Sequence, residues 1–182
     1  MKPITNLASR ILSAFKSRNQ RHLRKLNDEV LKTTAMEFNN VTFKLAVFSY
    51  VLSKIVSKPR FLTPEFEPAL RGMENAMERL VDRMETADEA ELLLIFKEME
   101  KYIGRLEEKD PRFVVDLVTK GRLKMAATFY AQGMSLGVAA EMTGLDKQEI
   151  QDYAGETMMF DRLKDEKGIA ERMKTARKLI TG

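Results

Sequence analysis

The sequence predicts an all-α protein: an N-terminal helical bundle over residues 1–110, followed by a helix-turn-helix domain over residues 111–182 with a basic tail. Three observations predict it. The first glycine is Gly72, apolar residues recur at intervals of three and four, and no alternating run of the kind a strand needs persists. With 182 residues, 44% hydrophobic and 32% charged, the chain has apolar content for one globular domain or two small ones.

The first helix is expected to start near Pro3, a residue suited to the first helical turn, and to carry Ile4, Leu7, Ile11, Leu12 and Phe15 on one face. Leu23, Leu26, Val30 and Leu31 continue the spacing, with Asn27-Asp28-Glu29 as a cap and restart. Asn39-Asn40 marks the next break. The helix from about Val41 buries Leu45, Phe48, Val51, Leu52 and Ile55, and stops by Lys58 because Pro59 disfavours helical geometry in the residue before it.

The proline-rich PRFLTPEFEP reads as a connection, after which Leu70, Met73, Met77, Leu80, Val81 and Met84 mark another amphipathic helix. Thr86 with Glu89 has the spacing of a capping box for the helix of Leu92, Phe96, Met99, Ile103 and Leu106. Asp110-Pro111 opens a further helix, running from Phe113 to Gln132 and closed by Gly133. The twelve methionines fall at helical spacing and read as core.

Within SLGVAAEMTGLDKQEIQDYAG, Ala140 and Gly144 stand four apart and Ile150 follows six later. These supply the small contact, the turn and the core anchor of two helices meeting steeply. Ala139, Leu145 and Tyr153 fill the remaining inward positions, Ser135 caps the first helix, and Asp146 with Glu149 forms a capping box for the second. An ordinary helix hairpin packed through its Ala and Gly is the alternative.

Charge is segregated. Residues 1–59 hold 11 Lys and Arg against 3 Asp and Glu, residues 60–110 hold 8 against 14, and residues 135–156 hold 1 against 5. In SRILSAFKSRNQRHLRKL, Arg10, Lys16, Arg18, Arg21, Arg24 and Lys25 occur without an acid. If that segment is one helix, Arg18, Arg21 and Lys25 form a ridge suited to phosphates. Its other reading is a face that pairs with the acidic middle of the same or a sister chain. Arg122 and Lys124 flank the helix-turn-helix, where Lys147, Gln148 and Gln151 would face a DNA groove and the glutamines could read adenine. The acidity of that segment opposes duplex DNA, whose axis carries a negative charge about every 1.7 Å.

The absence of cysteine excludes disulfides, thiolate zinc sites and cysteine nucleophiles, and is compatible with a cytoplasmic location. VTFKLAVFSYVLSKIV is interrupted by Lys44 and Lys54 and falls short of the roughly 20 apolar residues of a membrane span, so no membrane association is expected. Glu74, Glu78 and Asp82 have the spacing of carboxylate metal sites in bundles, but the sole histidine, His22, lies in a basic surround, and no metal is expected. No phosphate loop, dinucleotide glycine pattern or Ser/His/Asp set points to catalysis or to a cofactor.

The run FYAQGMSLGVAAEMTGLDKQEIQDYAG resembles the helix-turn-helix segment of small prokaryotic, particularly archaeal, regulators and antitoxins. The likeness rests on Tyr130, Gly133, Ser135, Leu136, Gly137, Ala139, Ala140, Glu141 and Gly144. It covers Phe129 to Gly155 and implies a regulatory role. The functional expectation is a nucleic-acid-associated protein, a DNA-binding regulator gripping mainly phosphates, with a protein partner or a homodimer alongside. The alternative is a non-enzymatic interaction or assembly module using the acidic helix-turn-helix surface.

Overall fold

The computed structural model describes residues 3–109 and 117–162. Among them the regular structure is α-helix and short 3-10 helix, with no strand. The chain divides into two compact units, Met1–Ala126 and Ala127–Gly182.

In the first unit α1 spans Pro3–Lys16 and buries Leu7, Ala8, Ile11, Ala14 and Phe15. It ends about three turns before the restart expected at Asn27. The chain breaks at Ser17–Asn19, where Arg18 takes the left-handed conformation at φ 54°. There the Arg18 and Asn19 amides donate to Phe15 O and Ala14 O at 3.0 and 2.9 Å. Asn19 then caps α2 (Gln20–Met36), its side-chain oxygen accepting from the His22 amide at 3.0 Å.

The expected cap and restart at Asn27-Asp28-Glu29 is therefore corrected: α2 is continuous there. Asn27 is buried and points across the helix pair, its Nδ2 donating to Ala46 O at 2.9 Å and Ser49 Oγ at 2.7 Å. Ser49 Oγ donates in turn to Ala46 O at 2.8 Å, which closes a small polar network between apolar surfaces. An asparagine mid-helix reads as a cap only when its amide cannot find a buried acceptor on a neighbour.

The break at Asn39 is present. Asn39 and Thr42 form a reciprocal capping box at the start of α3 (Asn40–Val56). Twelve of the seventeen α3 residues are buried, so this helix has no broad solvated face and must be covered from several sides. Helices α1 and α2 pack on it, as does α5 (Glu89–Lys109), with Phe48 and Phe96 rings 5.2 Å apart.

Pro59 stops α3 as expected. Lys58 is extended and the proline-rich connection forms two 3-10 turns, Pro59–Leu62 and Pro64–Phe66. Phe61 and Phe66 from these turns are buried edge-to-face at 5.4 Å, so this connection contributes to the core. Helix α4 (Glu67–Arg83) packs on α1 and α5 and buries Leu70, Met73, Met77 and Leu80, whereas Val81 is only half-buried.

The cap of α5 is a second correction. Asp88, not Thr86, accepts the Glu91 amide, at 2.8 Å, while Thr86 Oγ1 turns back to Arg83 O and Glu89 accepts from the Asn40 amide group. The expected start at Asp110-Pro111 lies outside the described residues, and α6 is seen from Leu117 to Ala131. Gly121 of α6 is buried, and a Cβ there would stand 3.1 and 3.3 Å from the stiff branched side chains of Val47 and Val51 on α3.

In the second unit Phe129 is buried and Gly133 ends α6 at φ 102°. Ser135 caps α7 (Leu136–Thr143) and Gly144 ends it in the left-handed region at φ 65°. Asp146 caps α8 (Lys147–Glu156), accepting from the Gln148 and Glu149 amides. Ala139, Ala140, Ile150 and Ala154 are buried, as the small-residue spacing requires, while Leu145 and Tyr153 are half-buried. In α9 (Met159–Arg162) Phe160 meets Tyr130 edge-on at 5.2 Å.

Removing the Asn27 amide leaves buried oxygens of α3 short of a donor, at a cost of about 1–3 kcal/mol. Urea titration of Asn27→Ala is expected to lower the unfolding midpoint accordingly. A change no larger than that of an exposed substitution such as Asn75→Ala would show that the network does not fix the α2–α3 pair.

Candidate nucleic-acid interface

The six N-terminal cations do not form one ridge. Arg10, on α1, makes a two-point pair with Glu29, with nitrogen–oxygen distances of 2.7 and 3.1 Å. Lys16 pairs with Glu78, and Arg18 with Glu74 at 2.7 Å, joining the end of α1 and the following turn to α4. Arg18 lies in that turn and not on α2, so the expected Arg18–Arg21–Lys25 ridge loses its first member. These pairs also occupy Glu74 and Glu78, two of the three carboxylates whose spacing fits a metal site, with salt bridges.

Arg21, Arg24 and Lys25 remain, exposed on α2 and adjacent on its surface. Among the described residues none of the three forms an ion pair. His22 is exposed beside them.

Sequence reasoning missed a neighbouring group. Tyr50 and Lys54 stand four apart on α3, with Lys58 just beyond its end, and the Lys54 ammonium lies 5.3 Å from the Tyr50 ring centre. Lys124 of α6 brings a second ammonium to 4.8 Å from the same ring. Burial first, then Arg24, then Lys58 push the Lys54 ammonium below its ordinary 10.5. Helices α2, α3 and α6 thus bring positive charge to one place. The signal was the spacing Tyr50–Lys54–Lys58, hidden because Lys54 reads as an interruption of an apolar run.

On α8 the exposed residues Lys147, Gln148 and Gln151 sit among Asp146, Glu149, Asp152 and Glu156, also exposed. Gln148 Nε2 donates to Asp152 Oδ1 at 2.7 Å, and Asp146 covers the helix's first amides. Arg122 is half-buried on α6.

A cleft of about 540 Å³ in the first unit is lined by Ile4, Val41, Met84 and Leu92 among others. Its polar side chains Asn39 and Thr42 cap α3, and Glu89 accepts from Asn40. Among the described residues no group of carboxylates and histidines is arranged for a metal, and no helix is long and apolar enough to cross a membrane.

The Arg10 guanidinium holds the Glu29 carboxyl below its ordinary 4.5, so this pair stabilises the fold above that value and its contribution fades as pH falls through the lowered one. Arg10→Met is expected to cost less than about 1 kcal/mol at neutral pH, because both side chains are largely solvated. In urea titrations the gap to wild type should close in acid; a gap that persists there would mean that Arg10 acts by packing.

No family model matches the chain, and neither the curated proteins nor the solved structures give a match.

Proposed function

We propose that this chain is a nucleic-acid-associated protein, a DNA-binding regulator that grips mainly phosphates, with α7 and α8 serving as its helix-turn-helix. The observation that carries this reading is the trio Arg21, Arg24 and Lys25, exposed side by side on α2 without an ion pair among the described residues, while Arg10, Lys16 and Arg18 are engaged within the fold. Cations left in solvent on one helical face can neutralise backbone phosphates and release condensed counterions on binding. The three-residue connection from α7 to α8, with left-handed Gly144, supports the motif, and Lys147, Gln148 and Gln151 are the base readers it offers.

A second reading is favoured by the state of α8. Gln148 is held by Asp152 and the exposed surface is acidic, which suits a basic protein surface, in a partner or a second copy, better than a phosphate.

Anisotropy titrations of the whole chain with a short duplex DNA, between about 50 and 200 mM salt, test the first reading. Binding should weaken steeply with salt, and Arg21→Gln with Arg24→Gln and Lys25→Gln should flatten the slope by about 3. No binding to duplex or single strand at low salt ends it. Exchange of Asp146, Glu149 and Asp152 for Asn, Gln and Asn separates the readings, since Asn still caps a helix. A regulator then binds DNA more tightly, whereas an interaction module loses affinity for a polylysine probe.

A further inference from the structure

We infer that the acidic face of α8 docks on the cationic face of α2 in a second copy of this chain, where it competes with phosphate for Arg21, Arg24 and Lys25. The docking stands on its own observations, whereas the competition rests on the reading above, because it regulates the site proposed there.

The chain leaves two faces of opposite sign without partners. Elsewhere in the first unit, cations and carboxylates on neighbouring elements meet: Arg10 with Glu29, Lys16 with Glu78, Arg79 with Glu98 and Arg83 with Glu91. Arg21, Arg24 and Lys25 stay outside that pairing, exposed on α2. In the second unit Glu149, Asp152 and Glu156 are exposed on α8, and among the described residues none of them forms an ion pair. The one cation of α8, Lys147, does not neutralise them. At about 100° per residue it stands on the opposite side of the helix, and its Nζ lies beside α7, 3.9 Å from where a β-carbon would stand on Gly137.

The two faces match in sign, number and rise. Arg21 and Arg24 stand three apart, as do Glu149 and Asp152; Arg21 and Lys25 stand four apart, as do Asp152 and Glu156. Those intervals are about 4.5 and 6 Å along a helix, so α2 and α8 laid together bring three cations to three carboxylates. Met158 and Phe160, just past the end of α8 and 65% and 51% exposed, add apolar surface for the aliphatic stems of Arg21, Arg24 and Lys25 to cover.

A second copy is the occupant that the chain itself supplies. Each copy carries both faces, so two copies can exchange the contact twice. Solvated ion pairs contribute little each and are screened by salt, which makes the association weak and reversible, as a competitor of phosphate must be. Carboxylates of α8 then take the place of phosphates on α2, and copies bound to each other are closed to nucleic acid.

The experiment uses the full chain. Sedimentation velocity follows its mass at about 50 mM salt, where exposed charges attract, and at about 500 mM, where they are screened. Wild type should run heavier than one chain at the lower salt and as one chain at the higher. Arg21→Glu with Arg24→Glu and Lys25→Glu reverses one face, and Glu149→Lys with Asp152→Lys and Glu156→Lys reverses the other, leaving the α8 cap Asp146 in place. Lys97→Glu with Lys101→Glu, both exposed on α5, is the control. Circular dichroism verifies that each folds. Each reversed variant alone should run as one chain, an equimolar mixture of the two should regain the wild-type mass, and the control should behave as wild type. Energy transfer between separately labelled wild-type copies should fall when a short duplex DNA is added.

If wild type stays single at low salt, a second copy is not the occupant and the inference is overturned, while duplex binding would leave the regulator reading standing. Association that survives either reversal, or that the mixture does not restore, uses another surface and overturns it too. Wild type that binds duplex without giving up its partner copy overturns the competition. If the mixture restores association but duplex is never bound, the docking stands and the regulator reading falls.

Discussion

The N-terminal unit is arranged around one constraint: α3 has almost no face that water can keep. A helix so apolar around its circumference is stable only when neighbours close over it, and each of those neighbours is itself amphipathic. The first two helices, α5 and the start of α6 supply the cover, with Phe48 against Phe96 and bare Gly121 against Val47 and Val51 marking how tightly. Apolar contact alone is forgiving of register. The buried amide of Asn27, satisfied by Ala46 and Ser49, is the contact that distinguishes one alignment of α2 on α3 from its neighbours.

Charge segregation along the chain has a double use. Part of it is spent within the fold, where Lys16 and Arg18 tie the end of α1 and its turn to the acidic face of α4 and Lys44 meets Glu100 across α3 and α5 at 2.7 Å. Arg21, Arg24 and Lys25 are instead displayed on α2. Solvated pairs of the first kind add little stability each, but they remove those cations from the supply available to a polyanion. A count of basic residues in the sequence therefore overstates the surface that can meet phosphate.

Most helices were legible because apolar spacing and punctuation agreed: Asn39, Pro59, Gly133, Ser135 and Asp146 all stand where the structure turns or caps. The misread positions share a cause. At residues 17–19 the left-handed position is held by arginine, so the usual glycine marker was missing. Asn27 resembles a cap locally and is claimed by an acceptor nineteen residues away. At the start of α5, Thr86 and Asp88 are both competent caps, and the geometry of the turn after α4 decides between them. The cluster at Tyr50 joins three segments and so exists only after folding, although Tyr50, Lys54 and Lys58 were aligned in the sequence throughout.

Arginine at the first interhelical joint has a consequence of its own. A left-handed backbone costs a residue with a β-carbon about 1–2 kcal/mol, which glycine avoids. Arg18 offsets the expense by laying its guanidinium 5.0 Å from the Phe15 ring, donating to Phe15 O, and meeting Glu74, whose side chain is only 16% exposed. The bend between α1 and α2 is thus clamped by a side chain that reaches across to α4, so the conformation of this joint is supported from outside the hairpin it connects.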